Sequence, residues 1–109
     1  MTAPPPFATT LRASRETIRL GTPNGAAFTL RVELPEQWDV VRIVAPPNER
    51  VLAVKVAALA VLDPRADVRE FVVKINGREV LDEQRSVSDV GARDGSIFLI
   101  TRRRRRPVR

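Results

Sequence analysis

The chain has no cysteine and no histidine among its 109 residues. The first absence excludes disulfides and thiol chemistry. The second removes the commonest metal ligand and the commonest general base. No apolar run approaches the roughly 20 residues a membrane-spanning helix needs, and the opening MTAPPPFATTLR lacks the basic-then-apolar layout of a secretory signal. A cytoplasmic location is therefore expected. Glycine is sparse as well, with five residues and no two adjacent.

What is present describes one soluble domain with one modest core: 43% of residues are hydrophobic and 29% charged. The formal net charge of +6 is unevenly placed. Residues 1–101 hold eleven Arg and two Lys against thirteen acids and balance to zero, so the six arginines from Arg102 onward carry the whole excess. An electrostatic partner would be addressed by the end of the chain and not by the body. Arginine outnumbers lysine seventeen to two, a usage expected of a GC-rich bacterial genome.

Along the chain, residues 1–14 contain Pro4-Pro5-Pro6 without any hydrophobic period and read as a flexible arm. Residues 15–25 read as an extra strand or extension, ending at a Pro23-Asn24-Gly25 turn. Between 28 and 34, Phe28, Leu30, Val32 and Leu34 alternate with Thr29, Arg31 and Glu33, as in a half-buried strand. A further strand is expected over 38–45, ended by Pro46-Pro47. NERVLAVKVAALAVLDP predicts a helix capped by Asn48 and closed by Asp63-Pro64, apolar all round except at Lys55. That lysine is expected to snorkel or to pair with an acid such as Asp82. Asn76-Gly77 between 71–75 and 78–81 predicts a type I′ hairpin. After a polar loop, a closing strand is expected over 96–102.

Strands of one sheet with one crossing helix give an α+β roll. The stretches Ile75-Asn76-Gly77-Arg78, Val87-Ser88-Asp89-Val90 and Asp94-Gly95-Ser96 make residues 26–103 resemble ubiquitin and its relatives, and the helix with its lysine fits the same pattern. The resemblance implies a β-grasp fold: a mixed sheet of four to five strands, its first and last strands side by side and parallel, with a helix packed across it. Residues 104–109 would then be a basic tail. Ubiquitin relatives that are conjugated, or that carry sulfur, end in a glycine pair, which threads through an adenylating enzyme without side-chain clash. This sequence ends Pro107-Val108-Arg109 and has no such pair.

No residue pairs a nucleophile with a base, so no enzyme activity and no cofactor are expected. Ser86, Ser88 and Asp89 read as loop hydrogen bonding, and the spacing of Asp82, Glu83, Asp89 and Asp94 matches no cation loop. Binding is what remains. If Phe98 and Ile100 face the helix, Ile97, Leu99 and Thr101 face outward beside Val72 and Lys74. Ubiquitin relatives dock through this part of the sheet. The expected protein-binding surface is Val72, Ile97 and Leu99 edged by Arg31 and Lys74, with Arg102, Arg103, Arg104, Arg105, Arg106 and Arg109 as a basic extension able to make weak polyanion contacts. The leading expectation is a non-covalent adaptor in a bacterial multi-protein assembly; the small ubiquitin-like component associated with type VII secretion is a precedent. The alternatives are a modifier or carrier handled through an atypical tail, and a nucleic-acid- or ribosome-associated protein using its arginines.

Overall fold

Seven elements follow one another in the computed structural model, which describes residues 17–21 and 25–103: β1 (Thr17–Arg19), β2 (Phe28–Leu34), β3 (Asp39–Ala45), α1 (Val51–Leu62), β4 (Phe71–Ile75), β5 (Arg78–Glu79) and β6 (Ile97–Arg102). The strands form one mixed sheet in the order β1-β3-β2-β6-β4-β5. β2 and β6 run in parallel with Val32 opposite Phe98, while β2–β3, β4–β6 and β4–β5 are antiparallel. This is the helix-across-mixed-sheet arrangement that the resemblance implied. The sheet has six strands, not four to five, because the first strand-like piece joins the far edge of β3 in parallel, Ile18 beside Ile43. The Pro23-Asn24 part of the expected turn lies outside the described residues.

Alternation decides which side of each strand is dry. Leu30, Val32, Leu34, Val41, Ile43, Val73, Phe98 and Ile100 are sealed under the helix, where they meet Val51, Val54, Ala58 and Leu59. Each such side chain contributes about 1.5–3 kcal/mol on burial. The helix is not covered all round, since Val56 and Ala60 face solvent.

The helix begins later than Asn48 suggests, and no side chain caps it. Its first free amides are instead satisfied from across the chain: Val51 N–H donates to the Arg85 carbonyl at 2.9 Å and Leu52 N–H to the Glu83 carbonyl at 2.8 Å. Loop carbonyls have taken the capping role. The hairpin turn is as the residue pair requires, with φ of 52° at Asn76 and 77° at Gly77. The closing strand is launched by Asp94-Gly95-Ser96, which grips β2: Thr29 N–H donates to Asp94 Oδ1 at 2.7 Å, and Arg31 N–H to the Ser96 carbonyl at 2.9 Å. That grip fixes the register of β6 and hence which of its residues face outward.

Candidate binding surface

With Phe98 and Ile100 fully buried, Ile97, Leu99 and Thr101 fall on the side of the sheet opposite the helix. Pairing places Arg31 opposite Ile97, and sets Glu33 and Lys74 on either side of Leu99. Four of the five expected binding residues, Arg31, Lys74, Ile97 and Leu99, thus share one surface. Ile97 retains 48% of its accessible area there. Val72 differs from expectation: a short side chain on a strand paired along its length with β6, opposite Thr101, it is only 5% exposed. It underlies the face and does not line it.

Cations outnumber acids on this side. The ionisable residues pointing outward from the strands are Arg19, Arg31, Arg42 and Lys74 against Glu33 and Glu79. Arg31 Nε donates to Glu33 Oε2 at 2.8 Å and Glu79 lies opposite Lys74 on β5, so Arg19 and Arg42 are left as the excess.

The sequence reading missed Trp38. Pro35–Gln37 forms a single 3-10 turn after β2, and Trp38 closes it with φ 53° and ψ 38°, its N–H donating to the Pro35 carbonyl at 3.1 Å. A bulky residue in the left-handed region costs about 1 kcal/mol. Burial does not offset it, since the side chain is 96% exposed. The indole stands over a concavity of about 360 Å³ lined by Arg31, Glu33, Pro35, Asp39 and Val40, at one end of the sheet face. The signal available in the sequence was the sole tryptophan of the chain placed inside a Pro-led turn. A second concavity, about 390 Å³, lies between β5 and the following loop, beside an 87% exposed Leu81.

Arg102 lies on the core side of β6 and remains half exposed. Its guanidinium lies 4.7 Å from the centre of the Phe71 ring, donates to Glu70 Oε1 at 3.0 Å and approaches Glu36 Oε1 at 3.4 Å. Arg103 extends the ladder, its N–H bonded to the Glu70 carbonyl at 2.6 Å and its Nε to the Arg69 carbonyl at 3.3 Å. These two arginines anchor the end of β6. Arg104, Arg105, Arg106 and Arg109 lie outside the described residues.

Lys55 is paired as expected, but with Glu83 instead of Asp82. The ammonium, 2% exposed, sits 3.0 Å from both carboxylate oxygens. The same residue whose carbonyl caps the helix thus neutralises its one buried charge. Ser86 Oγ accepts from the Asp89 amide at 3.1 Å and lies 3.3 Å from Ser88 Oγ, which is loop hydrogen bonding. On the exposed turn before β4, Asp67 accepts from the Arg69 side chain and amide, and those bonds hold its carboxyl below the usual range.

Among the described residues no helix is long and apolar enough to cross a membrane. No protein-family model matches the sequence, and no curated protein matches it. Solved structures do. The ubiquitin of Caldiarchaeum subterraneum is similar over 72% of this chain and 96% of its own, at 16% identity and a TM-score of 0.62. The C-terminal ubiquitin-like domain of mouse tubulin-specific chaperone e is similar over 81% of this chain and 100% of its own, at 17% identity and a TM-score of 0.63. A ubiquitin-like domain from Arabidopsis thaliana covers 81% and 89%, at 12% identity and 0.63. The fold is the ubiquitin-like β-grasp.

Proposed function

We propose that this ubiquitin-like domain works by non-covalent binding, as an adaptor or subunit of a bacterial multi-protein assembly, and that it docks through the open face of its sheet and its basic tail. The observation that carries this reading is the half-exposed Ile97 beside Leu99, edged by Arg31 and Lys74, on the face of the sheet opposite the helix. Exposed apolar surface with a charged rim marks a contact surface, and the excess of cations on this side favours an acidic and apolar partner. Photo-crosslinking tests it. A reactive side chain at position 97 should give partner adducts in cells, and the same group at Val56, on the exposed side of the helix, should give none. Equal adduct patterns from the two positions would refute the assignment.

A second reading is favoured by one observation, the cations Arg19, Arg42 and Lys74 sharing a face with an exposed indole: contact with a nucleic acid. Stacking on bases needs aromatics along a strand path, and this face offers one. Such binding would be weak, sequence-independent and steeply salt-dependent. A salt titration against single-stranded RNA separates the readings, because a protein partner held by Ile97 and Leu99 is retained at salt concentrations that release a polyanion.

A further inference from the structure

β1 lies at one edge of the sheet and is three residues long. It runs parallel to β3, with Ile18 beside Ile43 on the helix side and Thr17 beside Arg42 on the open side. The Leu20 amide continues the ladder, donating to the Val44 carbonyl at 2.8 Å. Ile18 and Leu20 pack against the margin of the core and are only partly buried. The segment is held as an added strand is held by a sheet edge: main-chain bonds along β3, and two aliphatic side chains at alternate positions as anchors.

Two features define what this edge accepts. The chain leaves β1 through Gly21, at a φ of 75°, where a Cβ would lie 2.8 Å from Pro46 Cγ, so the seat of β1 depends on glycine at that point. Charge works against β1. Arg42 has Arg31 opposite it on β2, Thr17 opposite it on β1 and Arg19 diagonal to it on the same face, and among the described residues no acid forms an ion pair with it. A strand with an acid in the place of Thr17 complements this edge better than β1 does. We propose that β1 is a displaceable cover, and that the outer edge of β3 takes a partner's extended segment running parallel to it, with aliphatic residues in the places of Ile18 and Leu20 and an acid set against Arg42. Because β1 is tethered, it competes at an effective concentration on the order of millimolar. The edge is then closed to weak ligands and opens to a segment that fits it better. This site is separated from Ile97 and Leu99 by the whole of β2 and does not rest on the docking reading of that face.

Two measurements test the proposal. Hydrogen exchange of the unaltered full-length protein compares the Leu20 amide with the Arg31 amide, which is bonded to the Ser96 carbonyl between β2 and β6. Leu20 is expected to exchange about 100-fold faster or more, through an opening that leaves the rest of the sheet intact. Exchange of both amides at one rate would make β1 part of the cooperative core and overturn the proposal. The second measurement titrates a labelled synthetic peptide of residues 14–22, carrying Thr17→Glu, into full-length wild type and full-length Gly21→Val. That substitution unseats β1 and leaves every side chain of the β3 edge in place. The expected result is binding about ten-fold tighter to Gly21→Val, with the amide shifts centred on Arg42 and Val44, and about three-fold weaker binding of the peptide that keeps Thr17. Equal affinity for the two proteins, or binding to neither, overturns the proposal, as do shifts centred on Ile97 and Leu99. A Gly21→Val protein that has lost its fold does so too, since β1 would then be integral to the domain. None of these results bears on the crosslinks expected from position 97.

Discussion

The two faces of the sheet are made by the same strands, one residue out of step, and they differ in almost every respect. Toward the helix, β2, β3, β4 and β6 present Leu, Val, Ile and Phe with essentially no accessible surface. Away from it, the same strands present Ile97 and Leu99 among Arg31, Glu33, Arg42 and Lys74. The inner face is composed to satisfy folding. The outer face leaves Ile97 half exposed, and the proposed docking surface lies there.

The sharpest way to break that comparison is to truncate neighbours on opposite faces. Phe98→Ala should cost about 3–5 kcal/mol, because it opens a cavity in a sealed core. Ile97→Ala should cost less than about 1 kcal/mol. Denaturant melts of the two variants check this, and similar costs would mean that the faces are not distinct.

The inner side tolerates one charge, and its handling is the next test. Glu83→Gln leaves the Lys55 ammonium buried without a counter-charge and should cost about 2–3 kcal/mol. Lys55→Met removes the charge with most of the volume kept and should be within about 1 kcal/mol of wild type. Urea titration of both variants and the double variant would give the coupling. A larger loss for Lys55→Met than for Glu83→Gln would show that the ammonium has a role beyond the pair.

A smaller effect is expected at the turn that sets the β4–β5 register. Gly77→Val should cost about 1 kcal/mol or more, since a β-branched residue disfavours the observed φ of 77°. An unchanged melting temperature would contradict the turn geometry. Least of all should come from the exposed Asp67–Arg69 pair. Because the folded state lowers the Asp67 pKa, its contribution is present above the carboxylate's unfolded pKa and is lost as pH falls through the folded one. Asp67→Asn should flatten only the acid end of the stability profile; a change near neutral pH would place the pair in a wider network.

Much of this was legible in the residues. Alternation over 28–34, the Asn76-Gly77 pair and Asp94-Gly95-Ser96 are local signals, and each carries its own geometry. The need of Lys55 for an acid followed from its place on an apolar helix, but choosing Glu83 over Asp82 needed the loop's path. The helix start was misplaced for the same reason: its first amides bind carbonyls more than 30 residues away, which no cap pattern at Asn48 encodes. Val72 was placed on the correct side of the sheet, but how much of it neighbouring strands cover depends on packing, which period-2 reasoning does not see. Trp38 was passed over because a strand-forming residue in a strand-like run gives no hint of a left-handed backbone.

One measurement bears most directly on the claim that the outer face is for binding and the inner face for folding. Leu99→Asp and Ile100→Asp place the same charge one residue apart on β6. Leu99→Asp is predicted to melt within about 1 kcal/mol of wild type while losing the partner crosslinked from position 97, whereas Ile100→Asp is predicted to unfold the domain. An unfolded Leu99→Asp, or a folded one that still binds that partner at wild-type strength, would contradict the account.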